Sequence, residues 1–292
     1  MSPEDALVHT DGQEAVKIGG YLLPVEDFSL TRFMLDDLGM QWLHPGGILS
    51  SERLLKQLAI KPGMRVLDLG CGLGSTCRYL ARKYNCTVVG LDRDPEMIIQ
   101  ARARSRGRRY ASIEYCEADA NDTGLENDSF DRVIVQSVAC FNDKPNMLKE
   151  ITRLLKQDGQ VGFNEVTWVK PPTEKVERVT RATICETFKG ALLEDDWVKL
   201  LEDAGLDRVT HEAHAFIRSL PTRCCVKKGC SERLRSWRVS CVIRKSTCDS
   251  APSVIIFGSI RAISGMDSIW RTNPVRTNAM LQVFVRAGQG QP

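Results

Sequence analysis

The sequence lacks the long apolar runs and one-sided charge that would mark a membrane or nucleic-acid protein. None of its apolar runs approaches the roughly 18 residues that a transmembrane helix needs, so we expect no membrane span. Its 40 basic residues stand against 37 acidic ones and leave a net charge of +3. Such a balance does not require nucleic acid or an anionic membrane as a partner.

A disulfide framework is also missing from the pattern. The 11 cysteines are odd in number, and several lie inside apolar runs. The opening stretch, MSPEDALVHTDGQE, is polar and acidic, unlike the apolar centre of a secretory leader. We therefore expect reduced thiols and a cytoplasmic location.

Between about residues 62 and 168 the sequence alternates between strand-like and helix-like patterns. Compact apolar runs predict strands at 64–70, 86–92, 112–119, 130–138 and 160–168. Apolar spacing and end signals predict helices at 75–84, from Pro95 onward and at 146–159. Strands that alternate with such helices indicate a parallel sheet with right-handed crossovers.

Weaker patterns extend this core. They predict a helix at 195–205, a strand at 207–216 and a closing antiparallel strand at 280–288. The sequence therefore predicts an α/β fold, namely a Rossmann-like, doubly wound, mostly parallel sheet of seven strands with an N-terminal helical lid.

Composition divides the chain into four predicted segments. Residues 1–60 mix apolar and acidic side chains and are expected to form the helical lid, and residues 61–217 form the core. Residues 218–278 are a basic, cysteine-rich insertion or cap, in which the stretch 218–245 holds many Arg, Lys and Cys residues and one acid. Residues 279–292 supply the closing strand and a tail.

The first predicted strand runs into the stretch LDLGCGLG, which places glycine at positions 70, 72 and 74. A glycine-rich turn at the carboxyl end of a strand lets a ligand approach the backbone closely. The dinucleotide fingerprint G-x-G-x-x-G would need its third glycine at position 75, which is serine. Asp68 would also repel a pyrophosphate, whereas it suits a ligand that carries positive charge.

S-adenosylmethionine is such a ligand, because it carries a sulfonium and an ammonium group and no phosphate. Asp92 ends the second predicted strand and could accept hydrogen bonds from both ribose hydroxyls. Asp119 ends the third and could accept one from the adenine amino group. The acids and glycines together predict S-adenosylmethionine as the cofactor.

Five motifs carry a family resemblance, namely VLDLGCGLG, VVGLD, EAD, FDRVIVQSV and LLKQDGQVGFNE. In this order and spacing they resemble the class I S-adenosylmethionine-dependent methyltransferases, and within them the branch that methylates small molecules, as in quinone and sterol biosynthesis. The resemblance is strong over residues 60–170 and loose over 190–216. It implies an enzyme of the methyltransferase class.

The resemblance, with the neighbours of its motif residues, assigns ten residues to the cofactor site. They are Asp68, Gly70, Cys71, Gly72, Gly74, Asp92, Arg93, Asp119, Ala120 and Gln136. The implied roles put the loop and Gln136 at the methionine end, Asp92 at the ribose, and Asp119 with Ala120 at the adenine. Cys71 is expected to be a small apolar filler rather than a nucleophile.

The stretch after the fourth strand, QSVACFND (136–143), bears on the methyl acceptor. It lacks the Asn-Pro-Pro-Tyr pattern of nucleobase amino-group methylation and the paired glutamates of protein arginine methylation. The chain also lacks the Pro-Cys pair of cytosine C5 chemistry. These absences favour a small-molecule acceptor and make nucleic acid unlikely as a partner.

Two residues are candidate general bases for the acceptor. Glu165 has apolar neighbours that would raise its pKa, although a structural hydrogen bond explains it equally well. His44 precedes a Pro-Gly-Gly turn and is equally compatible with a helix-terminal role. We expect both to line an apolar pocket with Tyr21, Cys140 and Phe141, closed by the N-terminal lid.

Three other functions remain open. Lys227, Lys228, Arg233 and Arg235 in the segment 218–245 could contact the phosphates of an RNA substrate. Cys224, Cys225 and Cys230 could bind arsenite or zinc, but their spacing is not a standard zinc spacing, and we expect no metal site. A non-catalytic scaffold is the third, and the intact glycine and acid motifs argue against it.

Overall fold

The structure is a computed structural model that describes residues 7–10, 13–18, 21–24, 35, 39–184, 187–215 and 278–287. The chain forms two compact units. The larger unit comprises Gln41–Thr173, Thr187–Ile217 and Arg276–Pro292, and the smaller unit comprises Met1–Met40, Glu174–Glu186 and Arg218–Val275.

The described strands and helices follow the predicted alternation through most of the chain. The strands are β1 (Leu7–Thr10), β2 (Gln13–Ile18), β3 (Tyr21–Pro24), β4 (Arg65–Leu69), β5 (Thr87–Asp92), β6 (Ile113–Glu117), β7 (Phe130–Gln136), β8 (Leu155–Trp168), β9 (Leu192–Leu193), β10 (Leu206–Ala215) and β11 (Asn278–Ala287). The helices are α1 (Gly47–Gln57), α2 (Ser75–Tyr84), α3 (Pro95–Arg104), α4 (Lys144–Leu154), α5 (Glu174–Ile184) and α6 (Glu194–Asp203).

The larger unit is built on one sheet with the order β10-β11-β8-β7-β4-β5-β6, and the two-residue β9 pairs with β8. Neighbours from β8 to β6 are parallel, whereas β11 runs antiparallel to both β8 and β10. The predicted Rossmann-like, mostly parallel sheet with a closing antiparallel strand is confirmed. The order reverses on either side of β4, which is where such sheets bind ligands.

Helices cover both faces of this sheet. On one face, here called the α2 face, α1, α2 and α3 bury leucine and isoleucine side chains against Val66, Val88 and Ile134. On the other, here called the α4 face, α4 and α6 pack against Leu67, Val133 and other alternating residues of the same strands. Both faces of the central strands are therefore buried, which explains their continuous apolar runs.

The start of α3 follows the sequence prediction. Pro95 occupies its first turn, and the Asp94 carboxylate accepts a hydrogen bond from the Glu96 N–H at 2.9 Å. This acid is the N-cap of α3, which leaves Asp92 free for another role.

The boundary between α4 and β8 differs from the prediction. The helix ends at Leu154 and the strand begins at Leu155, rather than at 159 and 160. The pairing of β7 with β8 slips here, since β7 advances two residues while β8 advances five. An irregular stretch ending at Gly159 absorbs the difference, which apolar spacing alone does not reveal.

In the smaller unit, β1, β2 and β3 form an antiparallel sheet, so the helical prediction was wrong for residues 7–24. The pairs Thr10↔Gln13 and Ile18↔Tyr21 close the two hairpins. The intervening sequence pairs are Asp-Gly and Gly-Gly, which favour two-residue hairpin turns. Within 1–60, the described helix α1 belongs to the larger unit.

Several other predictions fall on residues that the structure does not describe. The basic, cysteine-rich segment lies outside the described residues except for its last residue, at which β11 begins. Among the residues described, no helix is long and apolar enough to cross a membrane. Cys71, Cys77, Cys86, Cys116 and Cys140 are free thiols.

Candidate active site

The glycine loop between β4 and α2 is packed tightly at both ends. The N–H groups of Gly70 and Cys71 donate to the Leu91 carbonyl at 2.7 and 2.8 Å. Gly70 has φ +74°, and a Cβ there would lie 2.3 Å from the Val138 side chain. A Cβ on Gly74 would lie 2.3 Å from the Tyr115 hydroxyl. Side chains at these two positions would displace the turn after β7 and the ring packed beneath α2.

The middle of the loop is open. Gly72 has φ +48°, yet a Cβ built there meets no atom within 4 Å. Its N–H donates to Asp92 Oδ2 at 2.8 Å, which ties the loop to the end of β5. A ligand can therefore approach the backbone of Gly72 directly beside a carboxylate.

Asp92 holds two backbone groups and still has acceptor capacity. Its Oδ1 accepts from the Asp94 N–H at 3.0 Å, and Oδ2 accepts from Gly72. Burial raises its pKa above the ordinary value, against the effect of these two hydrogen bonds. Each carboxylate oxygen has two lone pairs, so both can also accept from hydroxyl groups. The adjacent Arg93 is exposed.

The third acid, Asp119, follows β6 and is exposed, whereas Ala120 is buried. Its Oδ1 accepts from the backbone N–H of Asn121 at 2.7 Å and from the side-chain amide at 2.6 Å. These bonds fix the turn, and they keep the carboxylate at the carboxyl end of β6.

Asp68 lies on the α2 face and is only 3% exposed. The Cys77 thiol, in the first turn of α2, donates to Asp68 Oδ2 at 3.1 Å. Burial, with a smaller contribution from the Asp92 charge, raises the pKa of Asp68 to about 7. A cation placed beside it would favour the ionised form.

Gln136 and His44 belong to one polar cluster on the α2 face. His44 Nδ1 lies 3.1 Å from Asn164 Nδ2, and His44 Nε2 lies 3.0 Å from Ser51 Oγ. Ser51 donates to Gln136 Oε1 at 2.7 Å, and Gln136 Nε2 donates to Thr76 Oγ1 at 3.0 Å. Burial lowers the pKa of His44 to about 4, so the ring is neutral at pH 7.

Glu165 lies on the opposite face. It is 1% exposed, and its Oε1 accepts from the N–H groups of Val138 at 2.8 Å and Ala139 at 3.1 Å. Oε2 has no hydrogen-bond partner among the residues that the structure describes. Burial raises the pKa of Glu165 to about 7. The sequence allowed either a structural or a catalytic role for Glu165, and its hydrogen bonds to the turn after β7 are a structural one.

The two candidate bases are therefore not brought together. Successive side chains on a strand point to opposite faces, so Asn164, which contacts His44, and Glu165 diverge. Of the other predicted pocket residues, Cys140 is buried and Phe141 is partly exposed beside Glu165's turn, whereas Tyr21 belongs to the smaller unit.

The segment that follows α5 covers the turn after β7. Lys189 N–H donates to the Cys140 carbonyl at 2.7 Å, and the Phe141 and Phe188 rings meet edge to face with centroids 6.2 Å apart. Sequence reasoning missed Phe188, and it missed Ser51 and Thr76 in the polar cluster. None of the three stands in a motif, and only the folded chain brings them to the site.

Comparisons with known proteins agree with this geometry. The family model described as "Methyltransferase domain" matches residues 60–205, half of the chain. An uncharacterized methyltransferase, YodH, from Bacillus subtilis is 33% identical over 181 residues, which cover 60% of this chain and 73% of that protein. Phosphoethanolamine N-methyltransferase 1 from Zea mays is 30% identical over 177 residues, but the match spans 60% of this chain and 34% of that one.

Among solved structures, phosphoethanolamine N-methyltransferase 2 from Haemonchus contortus, in complex with phosphomonomethylethanolamine and S-adenosylhomocysteine, has the same fold. The TM-score is 0.63 at 20% identity, covering 91% of this chain and 62% of that one. The family match, the identity to the bacterial relative and the sheet order agree with each other. The chain belongs to the class I S-adenosylmethionine-dependent methyltransferases and is an enzyme that uses S-adenosylmethionine as its methyl donor.

Proposed function

We propose that the enzyme transfers the methyl group to a small-molecule acceptor bound beside the turn after β7. The observation that carries the proposal is the open backbone at Gly72 with the Asp92 carboxylate beside it. Two further carboxyls, Asp68 on the α2 face and Glu165 on the α4 face, are buried, and burial raises the pKa of each to about 7. This arrangement suits a cationic donor and an uncharged or weakly basic acceptor.

The cofactor roles follow from the acceptor capacity of each acid. Asp92 accepts from the two ribose hydroxyls through the lone pairs that Gly72 and Asp94 leave free. Asp119, with Ala120, faces the adenine. Asp68 and Gln136 lie at the methionine end, where a bound ammonium group would offset the burial of the Asp68 carboxylate.

Glu165 is the better of the two candidate bases. Its Oε2 has no partner among the described residues, and its pKa lies near neutrality, as an efficient general base requires. Both nitrogens of His44 are occupied, and its low pKa makes it a weak base.

The reaction needs little from the protein beyond position and a proton acceptor. S-adenosylmethionine supplies a methyl group already activated on a sulfonium. When bound, it would present this carbon to the lone pair of the acceptor and leave as a neutral thioether, so the protein has to hold the two in line. Glu165 takes the proton that the methylated atom releases, and the packed turn around Phe141 and Phe188 excludes water.

Small amines are suitable first acceptors, because relatives in this family are named for methyl transfer to phosphoethanolamine and sarcosine. The alternatives with RNA and arsenite rest on residues 218–245, which lie outside the described residues. In the described part of the chain, no group of three or more His, Cys, Asp or Glu could hold a metal ion.

A methyl-transfer assay tests the acceptor class. The purified enzyme would be incubated with methyl-labelled S-adenosylmethionine and, separately, with phosphoethanolamine, sarcosine, RNA and arsenite. We expect label in a small organic molecule. Label in RNA alone, with a steep salt dependence that is lost when Lys227, Lys228, Arg233 and Arg235 are neutralised, would contradict the proposal.

A further inference from the structure

Five polar side chains form a chain of hydrogen bonds in the layer between the sheet and the helices of the α2 face. They come from five separate places, namely His44 before α1, Ser51 in α1, Thr76 in α2, Gln136 at the end of β7 and Asn164 in β8. Four of them are at least nine-tenths buried. Polar groups are costly in such a layer unless they are paired, so their arrangement calls for an explanation.

The direction of the hydrogen bonds is determined at the Ser51 end. Ser51 donates its one proton to Gln136 Oε1, so at its contact with His44 it accepts, and His44 Nε2 carries a proton. His44 Nδ1 lies 3.1 Å from Asn164 Nδ2 and 3.2 Å from the Pro45 carbonyl. In the neutral ring Nδ1 is the acceptor, and it accepts from the Asn164 amide.

The donor and the acceptor of each further hydrogen bond, from His44 to Thr76, are then fixed. His44 Nε2–H donates to Ser51 Oγ, Ser51 donates to Gln136 Oε1, and Gln136 Nε2 donates to Thr76 Oγ1. A proton on His44 Nδ1 could donate to the Pro45 carbonyl, but burial outweighs this contact and lowers the pKa of His44 to about 4, so the ring is neutral at pH 7. With both nitrogens engaged, the imidazole has no free lone pair for an acceptor's proton.

The chain of hydrogen bonds ends at Thr76, beside the cofactor loop. Thr76 is the second residue of α2, immediately after the glycine loop. A parallel link joins the same turn to the segment before α1, because Ser75 Oγ donates to the Gln41 carbonyl at 2.7 Å. Residues 41–46 are thus tied at two points to the turn on which the cofactor loop ends.

We propose that His44 is a positioning residue, which through Ser51 holds Gln136 and the first turn of α2 in the geometry that binds the methionine end of the cofactor. The inference rests on the cofactor placement proposed above. It assigns to the His44 segment a part in donor binding, and it removes His44 from proton transfer.

Two substitutions of His44 separate its hydrogen bond to Ser51 from its hydrogen bond to Asn164. In His44→Gln the side-chain amide can keep the donor near the Nε2 position, which serves Ser51. In His44→Asn the amide oxygen can keep the acceptor near the Nδ1 position, which serves Asn164, and the link to Ser51 is lost. Ser51→Ala breaks that same link, together with the hydrogen bond to Gln136, and leaves His44 itself unchanged. Thr152→Val, within α4, is the matched control for loss of a hydroxyl.

The measurements are the affinity for S-adenosylhomocysteine by calorimetry and, at saturating acceptor, the KM for S-adenosylmethionine and kcat. We expect His44→Gln to stay within about threefold of wild type, and His44→Asn and Ser51→Ala each to lose about tenfold in affinity and KM, with kcat changed less than threefold. The double variant His44→Asn, Ser51→Ala should be no worse than Ser51→Ala alone, because that substitution already removes the link between His44 and Ser51.

Two results would overturn the positioning role. One is that both His44 variants turn over about 100-fold more slowly, or worse, at saturating donor, which would make His44 the base. The other is unchanged affinity in His44→Asn and Ser51→Ala. The binding measurement needs no acceptor, so a chain that binds S-adenosylhomocysteine but methylates no small molecule would refute the acceptor class alone.

Discussion

The two faces of the sheet differ in the number of polar groups at the carboxyl ends of the strands. On the α2 face, Asp68, Gln136 and Asn164 lie on neighbouring strands, and the last two belong to a chain of hydrogen bonds. On the α4 face the corresponding layer is mainly apolar, and Glu165 is a single buried carboxylate. Among the described residues, Asn164 Oδ1 and Glu165 Oε2 each lack a hydrogen-bond partner. This difference matches the two roles proposed above, namely donor binding on the α2 face and proton transfer on the α4 face.

Asp68 and Glu165 have similar pKa values but different charged neighbours. Burial is the largest cause for both Asp68 and Glu165. The negative charge of Asp92 raises the pKa of Asp68 further. At Glu165, backbone N–H groups and the positive charge of Lys144 lower the pKa and oppose the effect of burial. A bound cation would lower the pKa of Asp68 and leave Glu165 near neutrality.

The sharpest test of this division is Glu165→Gln. The amide oxygen can still accept from Val138 and Ala139, so the turn should persist while the base is lost. We expect kcat to fall by about 10²-fold or more, as for removal of a general base, with the affinity for S-adenosylhomocysteine unchanged. Steady-state kinetics with a turned-over acceptor would check this, and an unchanged kcat would return Glu165 to a purely structural role.

Gly70→Ala tests the point at which the two faces meet. The new Cβ would adopt a left-handed conformation and press on Val138, the residue that Glu165 holds. We expect a loss of about 2–4 kcal/mol in the free energy of unfolding, measured by urea denaturation.

Gly72→Ala is the matched control, since its Cβ enters open space and only the backbone strain of about 1 kcal/mol remains. In the double variant Gly70→Ala, Val138→Ala, part of the stability should return. If Gly70→Ala and Gly72→Ala were equally stable, the close packing of the loop against the turn would be wrong.

Asp68 and Glu165 both lose stabilisation over the same pH range, so a variant of Glu165 is needed to separate their contributions to stability. A folded-state pKa of about 7 for Glu165, above its ordinary 4.5, means that the folded state holds the proton more tightly. Stability should therefore fall as the pH rises from 4.5 to 7 and then level off, by about 2 kcal/mol between pH 5 and 7 for this group. Urea titrations at several pH values should show a smaller fall in Glu165→Gln, and an equal fall would assign the effect to other groups.

The smallest effect is expected at the exposed edge of the cofactor site. Asp119→Ala removes one acceptor proposed to face the adenine, so the affinity for S-adenosylhomocysteine should fall about fivefold. The same titration on Asp92→Ala should show a larger loss, because two charge-assisted hydrogen bonds to the ribose disappear. Affinities ranked in the reverse order would exchange the two assigned roles.

The sequence predicts the central sheet well because its signals are local. Each strand is a compact apolar run, and Asp94 with Pro95 marks the start of α3 by the preferences of its first turn. The glycine loop follows from spacing alone, since positive φ values recur at 70, 72 and 74. The separation of Asp92 from the capping Asp94 could also be read from their positions.

Other features depend on long-range contacts that spacing does not carry. The alternation Phe163, Asn164, Glu165 predicts that Asn164 and Glu165 lie on opposite faces of the sheet. It does not reveal that His44 contacts Asn164, nor which helix covers which face. Ser51 meets Gln136 across 85 positions of sequence. The N-terminal strands were readable from their Asp-Gly and Gly-Gly pairs, and the mixed apolar and acidic composition around them favoured helices instead.

The position of β11 has a consequence for the order in which the sheet assembles. β11 lies between β8 and β10, although Asn278 follows Ala215 by more than 60 positions. During synthesis β10 emerges long before its sheet neighbour, and closing so long a loop slows folding. Until β11 arrives, β8 is an unpaired edge beside Asn164 and Glu165, whose sheet partners are Gln282 and Leu281. The strand that carries Asn164 and Glu165 thus gains its second neighbour only after more than 60 further residues have been synthesised.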